Sequence, residues 1–330
     1  MGTENKDRLV EIVRRFAGQR IVIVGDAIAD KFLHGSISRV SREAPVFILR
    51  HEHTETVPGG AANCAMNLVA LGANVSLISV IGADESGNEL RAKLQSAGVD
   101  TKGMIVSGKV QTTTKERILA GHSHSNRQQV IRIDYEGAAL DDEEIRTAIL
   151  KQLEQTITEA KAVVISDYNY GVVDARVAEL IRSTTAVPVL VDSRFRLFEL
   201  TGFTAATPNE DEVENLVGTP ITTADEWENA ARELKKKLDH RALLVTRGAH
   251  GMTLLEGDSA SLHIPAVGAQ QAVDVTGAGD TVIATFSLAL ASGASFSEAA
   301  HLANYAGGLV VMKRGTATVS ASELEHSLTA

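Results

Sequence analysis

The feature that most constrains the fold is a regular alternation between short apolar segments and longer segments of helical periodicity. The apolar segments are rich in β-branched residues and almost continuous in apolar character, which is typical of strands buried on both faces. The strands predicted in this way cover 20–25, 75–81, 162–166, 187–192 and 242–246. Because strands and helices alternate, we expect an α/β fold with a mostly parallel sheet covered by helices on both faces.

Helical periodicity with suitable capping residues fills the intervals between the strands. The predicted helices cover 60–71, 86–97, 142–160, 174–182, 225–238, 281–291 and 297–311. Two regions, 31–50 and 99–135, break the alternation, and period-2 patterns at 112–118 and 129–134 predict strands in the second of them. We therefore expect a single domain over 1–330, with a small β-sheet lid built from these two regions.

Composition limits the classes of function. With 330 residues, of which 44% are hydrophobic, the chain can bury a large core. A formal charge of −10 argues against broad binding to nucleic acids or anionic membranes, because both need a basic face. The charged start of the chain, and the lack of any run of about 18 apolar residues, predict a cytoplasmic protein without a membrane contact. The single cysteine, Cys64, excludes an internal disulfide framework, and we expect it to be buried in a helix.

A glycine turn joined to a helix start carries the strongest chemical signal. The sequence Asp-Val-Thr-Gly-Ala-Gly-Asp at 274–280 precedes an apolar helical run. Gly277 and Gly279 permit unusual backbone dihedrals and the close approach of a ligand, while the first helical turn offers unpaired N–H groups to an anion. Asp280 stands among these groups, and the alternative is a plain turn that it caps. A dinucleotide fingerprint is excluded because Val282 replaces its third glycine.

Two further groups follow strands or open helices where open α/β sheets bind ligands. Asp26 and Asp30 come directly after the first predicted strand, and they either contact a ligand or cap a turn. Small residues at 58–62 open a helix that carries Asn63. The Asn63 amide offers a donor and an acceptor to a sugar hydroxyl, although the same pattern also suits close helix packing.

A third group opens a predicted helix after Pro208. Asn209 is a natural N-cap, and it is followed by Glu210, Asp211 and Glu212. Capping does not account for three acidic residues in a row. They compensate the helix dipole or, in part, hold Mg²⁺, which prefers oxygen ligands and retained water.

Histidine pairs and the one tryptophan allow weaker readings. The pairs His51/His53 and His122/His124 each place two imidazoles on one face of an extended segment, which suits a metal but equally a solvated strand end. A third metal ligand is not evident beside either pair. Trp227 lies on an amphipathic helix, where packing is expected rather than ligand binding.

Two motifs more than two hundred residues apart identify a family. With Gly-Gly-Ala-Ala-Asn at 59–63 and the glycine turn at 274–280, in this order, the chain resembles the PfkB-type (ribokinase-like) carbohydrate kinases over nearly its whole length. The resemblance implies a ribokinase-like three-layer α/β/α fold with a small β-sheet lid. It also implies transfer of the γ-phosphoryl group of ATP to a hydroxyl of a sugar or sugar phosphate, with Mg²⁺ as cofactor and a monovalent cation left open. The exposed lid strands further predict a homodimer.

The resemblance also assigns roles to individual residues. It implies that Asp280 is the catalytic base and that Gly277, Ala278 and Gly279 form an anion hole, with Glu212 holding Mg²⁺ through water. The implied nucleotide-side residues are Asp192, Asn209, Glu212, Thr246, Arg247, Gly248 and Asn304. The implied sugar-side residues are Asp26, Gly59, Gly60 and Asn63, and we expect Asp30, Lys115, Arg117 and Asp134 to bind the substrate with them.

Within the family, the segments 38–46, 58–63 and 114–117, together with Ser-Asp-Tyr at 166–168, most resemble the kinases of D-glycero-D-manno-heptose 7-phosphate in lipopolysaccharide-precursor synthesis. That resemblance implies formation of the 1,7-bisphosphate. Lys115 and Arg117 alternate onto one face of a lid strand, where they either clamp a substrate phosphate or form a solvated pair on an edge strand.

Departures from the subgroup keep other acceptors open. The chain has Ser-Arg-Glu at 41–43 in place of Ser-Pro-Glu, Tyr170 in place of Lys, and Asp-Ser-Arg at 192–194 in place of Asp-Pro-Lys. A fructokinase- or ketodeoxygluconate kinase-like activity is therefore the alternative, followed by a sugar- or nucleotide-binding regulator without activity. The nucleotidyltransferase domain that is fused to some heptose kinases is expected to be absent after Ala330.

Overall fold

The computed structural model describes residues 3–121, 128–137, 140–218, 221, 223–268 and 272–329, with the backbone alone at 3–5, 224 and 225. The strands are β1 (Arg20–Gly25), β2 (Ala27–Val40), β3 (Phe47–Gly60), β4 (Asn74–Gly82), β5 (Met104–Ser107), β6 (Thr114–Gly121), β7 (Gln128–Tyr135), β8 (Ala162–Asp167), β9 (Val189–Ser193), β10 (Ala205–Ala206), β11 (Ala242–Thr246), β12 (Met252–Glu256) and β13 (Leu262–Ile264). The α-helices are α1 (Thr3–Arg14), α2 (Ala61–Ala70), α3 (Glu85–Ser96), α4 (Glu143–Ile157), α5 (Ala175–Thr184), α6 (Glu210–Val217), α7 (Ala224–Leu238), α8 (Ala278–Ala291), α9 (Phe296–Val310) and α10 (Ala321–Thr329).

The main sheet has nine strands in the order β13-β12-β11-β10-β9-β8-β1-β4-β5. Strands β11 to β5 in this order are parallel, and β12 and β13 add an antiparallel edge. The prediction of an α/β fold with a mostly parallel sheet is therefore confirmed. The predicted strands omit β10, β12 and β13. Of these, β10 and β13 have only two and three residues, which is too short to display a period.

Helices cover both faces of the main sheet, and alternate residues of β1 show why. Ile21 and Ile23 enter one apolar core, which packs against α1, α2, α8, α9 and α10. Val22 and Val24 enter a second core, which packs against α4, α5 and α7. Because side chains alternate along a strand, a continuous apolar run supplies both cores, as the sequence pattern indicates. Cys64 is buried in the first core, as predicted.

The lid is a four-stranded sheet in the order β3-β2-β6-β7. The predicted strands at 112–118 and 129–134 correspond to β6 and β7. The predicted boundaries of 31–50 and 99–135 need correction, because the lid begins at Ala27 and continues through β3 to Gly60. In addition, β5 pairs with β4 in the main sheet, so the segment 104–107 is not part of the lid.

The order of the strands determines where a ligand can bind. The chain places β4 and β5 on one side of β1, and later places β8, β9, β10 and β11 on the other side. The strand order therefore reverses between β1 and β8, and in open α/β sheets the crevice beyond the carboxyl ends of two such strands is the usual binding site.

Candidate active site

Asp26 holds the crevice between β1 and β8 together. Its buried carboxylate accepts hydrogen bonds from the backbone N–H groups of Tyr168 at 2.8 Å, Tyr170 at 3.1 Å and Val172 at 3.2 Å. Burial raises the pKa of Asp26 to about 6, while these N–H groups act in the opposite direction. Asp26 therefore shapes the loop after β8, and it also lines the cavity described below.

Two helices begin at the crevice without a side-chain cap. The helices α3, α4, α5, α6, α7 and α9 begin at an N-cap whose side chain accepts a backbone hydrogen bond. By contrast, α2 begins after Gly60 and α8 begins after Gly277, and neither glycine supplies such a bond. The positive ends of both helices are thus left to other partners, which makes them suited to an anionic ligand.

Asp280 lies in the first turn of α8 and is 6% exposed. One carboxylate oxygen accepts a hydrogen bond from the Asn63 side-chain amide at 2.7 Å, and the other accepts one from the Tyr168 hydroxyl at 3.2 Å. Burial raises the pKa of Asp280 to about 7, although both hydrogen bonds act to lower it, and the charge of Asp30 raises it further. A carboxylate with a pKa near neutrality is suited to accept a proton.

Gly277 and Gly279 of the turn are glycines for different structural reasons. Gly277 has a φ of 76°, and a Cβ there lies 2.5 Å from the Asn63 amide nitrogen, so a side chain is excluded by both the backbone and the neighbour. Gly279, by contrast, has open space where a Cβ would stand. The fold itself would tolerate a side chain at residue 279, so the open space beside Gly279 is free for a ligand.

The glycine pair that precedes α2 is required by the fold around the crevice. A Cβ on Gly59 would lie 2.2 Å from a carboxylate oxygen of Asp30. Gly60 has a φ of 57°, and a Cβ on it would lie 2.6 Å from the backbone carbonyl oxygen of Asp26. Both glycines therefore allow β3 to pass close to the two aspartates.

A polar cavity of about 990 Å³ lies between the lid and the carboxyl ends of β1 and β8. Four cations line it. Lys109 is paired with Asp142 and Glu144 at 2.8 and 2.7 Å, and Arg132 is paired with Asp134. The other two lie over aromatic rings, namely Lys115 over Tyr168 and Tyr170, and Arg194 over Phe195.

Among the residues that the structure describes, no carboxylate oxygen lies within 4.0 Å of the Lys115 or Arg194 cation. Burial lowers the pKa of Lys115, because an ammonium group without a close counter-ion is costly to bury. Arg117 lies on the same face of β6 as Lys115, as predicted, but it is paired with Asp30 and lies over Phe32. The structure thus separates the predicted pair, and only Lys115 lines the cavity.

A second pocket, of about 230 Å³, lies on the other side of the α8 N-terminus. Its walls are small or apolar residues of β12, α8 and α9, and Thr246, Gly248, Ala278 and Gly279 also line it. Asn304 borders it and donates a hydrogen bond to the backbone carbonyl of Pro265 at 2.8 Å. A flat apolar group such as a nucleotide base suits such a pocket, with few polar groups to orient it.

Carboxylates gather between the two cavities. Asn209 and Glu212 form a complete capping box on α6, with bonds of 2.8 and 3.0 Å. Burial raises the pKa of Glu212, and burial and the charges of Asp280 and Glu212 raise that of Asp192. Asn209 also pairs with Thr246 through a parallel β-bridge, so these predicted nucleotide-side residues lie together.

Comparison with known proteins decides the family. The model of pfkB family carbohydrate kinases matches residues 19–323. The bifunctional protein HldE of Pseudomonas aeruginosa strain UCBPP-PA14 is 42% identical over 319 residues, covering 95% of this chain and 64% of that protein. HldE of Paramagnetospirillum magneticum is 40% identical and covers 97% of this chain and 65% of that protein. The chain belongs to the PfkB family of carbohydrate kinases. It is thus a phosphotransferase with an alcohol group as acceptor, and it spans just under two thirds of the length of these relatives.

Solved structures agree on the fold of this PfkB kinase. Arabidopsis thaliana ribokinase complexed with ribose and ATP superposes with a TM-score of 0.74 at 22% identity, covering 95% of this chain and 99% of that one. Phosphofructokinase-2 from Escherichia coli in complex with potassium superposes with a TM-score of 0.78 at 20% identity, covering 94% and 98%. The ribokinase-like fold predicted from the two motifs is therefore confirmed.

Other predicted residues of this PfkB kinase have structural partners. Arg247 is paired with Glu210 at 2.6 Å, and its guanidinium lies 4.4 Å from the ring centroid of Trp227. Trp227 is buried in the second core, in agreement with the packing role expected for it. Among the described residues, no group of three or more histidines, cysteines or acids is arranged to hold a metal.

The two histidine pairs differ in what the structure describes. His53 stacks on His34 with ring centroids 4.2 Å apart, and His51 contacts the Thr54 hydroxyl at 2.9 Å. The pair His122/His124 lies outside the described residues.

Sequence reasoning missed the contacts of Tyr168 and Arg194. The sequence shows Tyr168 as part of Ser-Asp-Tyr at 166–168 and Arg194 as a departure from Asp-Pro-Lys, and neither pattern indicates a contact. The signal available for both was their position directly after β8 and β9, at the carboxyl edge of the sheet.

In the described part of the chain, none of the helices combines the length and apolar character needed to cross a bilayer.

Proposed function

We propose that this kinase transfers the γ-phosphoryl group of ATP to a hydroxyl of a phosphorylated sugar, and that the acceptor is D-glycero-D-manno-heptose 7-phosphate, which becomes the 1,7-bisphosphate used in lipopolysaccharide-precursor synthesis. The observation that carries the phosphorylated acceptor is the pair of cations without a close carboxylate, Lys115 and Arg194, in the 990 Å³ cavity. Asp30 and Asp134 act on Lys115, and Glu212 interacts with Arg194, only from beyond 4.0 Å, so a phosphate would supply the close counter-ion that neither cation has. The HldE relatives and the matching segments at 38–46 and 114–117 support the heptose.

Asp280 is the proposed catalytic base. It accepts a hydrogen bond from Tyr168, which lines the larger cavity, and it shares a helical turn with Ala278 and Gly279, which line the smaller pocket. Its pKa of about 7 allows it to accept the proton of the acceptor hydroxyl as the bond to phosphorus forms. Phosphoryl transfer depends mainly on positioning and on electrostatic stabilisation of the transferring group. The N-terminus of α8 has no side-chain cap, and the N–H groups of Gly277 and Gly279 are proposed to stabilise that charge, while the Ala278 N–H donates to the Val275 carbonyl at 3.2 Å and closes the turn.

ATP is placed with its base in the 230 Å³ pocket and its phosphates toward α8. Mg²⁺, when bound, would neutralise charge on the phosphates of ATP. The donor set fits such an ion, because Glu212 is a half-buried carboxylate beside the acidic Asp192. Since Mg²⁺ keeps several waters and takes ligands from phosphate, a single carboxylate acting through water is sufficient. A monovalent cation is left open, and potassium is bound by the phosphofructokinase-2 relative.

A fructokinase- or ketodeoxygluconate kinase-like activity is less well supported. It is suggested by Asp-Ser-Arg-Phe-Arg at 192–196, which is similar to the Asp-x-Asn-x-Arg pattern of fructokinase- and ketodeoxygluconate kinase-like relatives and ends at Arg196. The Arg196 guanidinium is bound to the buried Asp167 at 2.6 Å and to the backbone carbonyl of Val173 at 2.7 Å. It is therefore committed to the protein and not to an unphosphorylated acceptor.

We also propose that the kinase is a homodimer joined through the lid. The face of β7 that points away from the cavity carries Ile131, Ile133 and Tyr135, which are 53%, 38% and 38% exposed. An apolar sheet face of this kind favours association. Location in the cytoplasm stays a prediction.

The test is an ADP-release assay with a panel of acceptors at matched concentration. The panel contains heptose 7-phosphate, fructose 6-phosphate, fructose, ribose and ketodeoxygluconate. Turnover is expected with heptose 7-phosphate and to a lesser extent with fructose 6-phosphate. Preferential turnover of an unphosphorylated sugar would reject the proposed acceptor and leave the kinase class intact.

A further inference from the structure

Tyr168 stands between the proposed base and the proposed acceptor cavity. Its hydroxyl donates to the Asp280 oxygen that is not bound by Asn63, so each carboxylate oxygen has one donor. Its ring borders the 990 Å³ cavity, and the Lys115 ammonium lies 6.0 Å from the ring centroid. One side chain therefore contacts both the base and a cation assigned to the acceptor phosphate.

The position of Tyr168 is strongly constrained. Its backbone N–H donates to Asp26 at 2.8 Å. The preceding residue, Asp167, is buried and is bound by Arg196 at 2.6 Å and by the Ser193 hydroxyl at 2.7 Å. Burial raises the pKa of the Tyr168 phenol well above its usual range, so the hydroxyl remains a donor at every pH at which the enzyme works. The ring and the hydroxyl thus have one available arrangement.

We infer, building on the proposed function, that Tyr168 is a positioning residue for phosphoryl transfer: its hydroxyl orients the Asp280 carboxylate toward the acceptor, and its ring supports Lys115 at the acceptor phosphate. The base and the phosphate contact are then set at a fixed separation by one rigid side chain. An acceptor held at Lys115 presents its hydroxyl to a carboxylate that is already oriented.

Asp280 faces few groups that influence its ionisation. The charge of Asp30 on β2 raises the pKa of Asp280, and Asp192 on β9 and Cys64 on α2 are buried nearby. The hydroxyl of Tyr168 and the Asn63 amide are the donors that stabilise its carboxylate. Removing the hydroxyl leaves one donor, so the carboxylate is less stable and the pKa of Asp280 rises.

The first test is the pH profile of kcat for Tyr168→Phe with a phosphorylated acceptor. The midpoint of the acid limb is expected to move up by about one pH unit, since a hydrogen bond to a charged group is of that size. The loss of kcat is then about tenfold at pH 6 and less than about twofold at pH 9. The matched control is Tyr170→Phe, whose hydroxyl binds Glu136 at 2.7 Å and not the base. Its midpoint is expected to equal that of the wild type.

Two further variants separate the hydroxyl from the ring. Tyr168→Phe retains the ring, so the KM for the phosphorylated acceptor should change by less than about twofold. Tyr168→Leu removes the ring as well and should raise that KM by about fivefold or more, since a cation–π contact is lost. Site-specific 3-fluorotyrosine at 168 keeps the shape and strengthens the donor, so it should move the midpoint down.

The outcomes distinguish this inference from the proposed function. An unshifted midpoint in Tyr168→Phe and in the 3-fluorotyrosine protein, in an enzyme that turns over the phosphorylated acceptor, overturns the inference alone. If no phosphorylated sugar is turned over, the proposed function fails. In that case the effect of the Tyr168 hydroxyl on the pKa of Asp280 is measured from the pH dependence of the unfolding free energy. A pH dependence between pH 5 and 9 that is equal in wild type and Tyr168→Phe overturns it.

Discussion

The larger cavity, bordered by Tyr168, and the smaller pocket, bordered by Ala278 and Gly279, are built in opposite ways. The larger one is lined by charged and aromatic side chains, such as Lys115 and Arg194, from both the lid and the main sheet. The smaller one is lined by glycines, alanines and other apolar residues, and its polar features are mainly backbone. The difference teaches that the proposed nucleotide pocket is shaped mainly by the backbone, whereas the proposed acceptor cavity offers charged side chains that can select a ligand.

The largest expected effect comes from the proposed catalytic base. Asp280→Asn should lower kcat by about 10³- to 10⁴-fold, because it removes the proton acceptor. It should leave the Kd for ATP within about threefold, because the N–H groups of α8 are retained. Parallel titration calorimetry and steady-state kinetics measure both quantities. A loss of ATP affinity as large as the loss of rate would place Asp280 in nucleotide binding instead.

The smaller pocket is tested by a pair of glycine substitutions. Gly279→Ala meets open space in the protein and improves helix propensity, so stability should be equal or up to about 1 kcal/mol higher. ATP binding should nevertheless weaken by about 10- to 100-fold, because the added methyl group would occupy the space proposed for an ATP phosphate.

Gly277→Ala is the second substitution of the pair, and its stability is compared with that of Gly279→Ala. It should destabilise the fold by about 1 to 3 kcal/mol, because its φ is 76° and its Cβ would lie against Asn63. Chemical denaturation of both variants measures this difference in the free energy of unfolding. Equal destabilisation by Gly277→Ala and Gly279→Ala would remove the distinction drawn between them.

The larger cavity is tested by two lysines that both line it. Lys115→Ala should raise the KM for a phosphorylated acceptor by about 10- to 50-fold and leave that for an unphosphorylated sugar nearly unchanged. Lys109→Ala is the control, since Asp142 and Glu144 already neutralise this ammonium group. Its KM for the phosphorylated acceptor should change by less than about threefold. Equal effects of the two substitutions would show that the pairing of the cations does not matter.

The pH dependence of stability gives a smaller effect. The folded-state pKa of Asp280 is raised from 3.8 to about 7, so the native state retains a proton that the unfolded state releases. This group therefore costs stability as the pH rises from about 4 to 7. Asp280→Asn should be more stable than wild type at pH 8, by at most about 4 kcal/mol, and equal to it at pH 4. Urea unfolding at both pH values measures this difference, and a variant that is less stable at pH 8 would contradict the raised pKa.

The smallest expected effect on the active site comes from the outer face of the lid. Ile131→Lys should convert a homodimer to a monomer in light scattering, because a charge replaces an exposed apolar side chain. No residue of β7 lines the proposed nucleotide pocket, so the Kd of the variant for ATP should be nearly unchanged. A wild-type monomer would reject the proposed dimer.

The sequence allowed prediction of what depends on short-range pattern. Alternating apolar runs predicted the parallel sheet, and the turn at 274–280 predicted an uncapped helix start beside Asp280. It did not allow prediction of contacts between residues far apart in the chain. Arg117 was expected on the cavity side with Lys115, but it binds Asp30, which is 87 residues earlier. Periodicity states which residues share a face, but the neighbour of that face is decided by the tertiary fold.

The central claim is that a phosphoryl group passes from ATP, whose base is proposed to bind in the apolar pocket, to an acceptor whose own phosphate is held in the charged cavity. Phosphorus-31 NMR of the wild-type enzyme with ATP, Mg²⁺ and heptose 7-phosphate tests it most directly. The account predicts that the γ-phosphate signal of ATP decays as ADP and one new sugar-phosphate resonance appear in equal amounts, while the resonance of the 7-phosphate persists. Release of inorganic phosphate alone, or faster transfer to an unphosphorylated sugar in the same mixture, would contradict it.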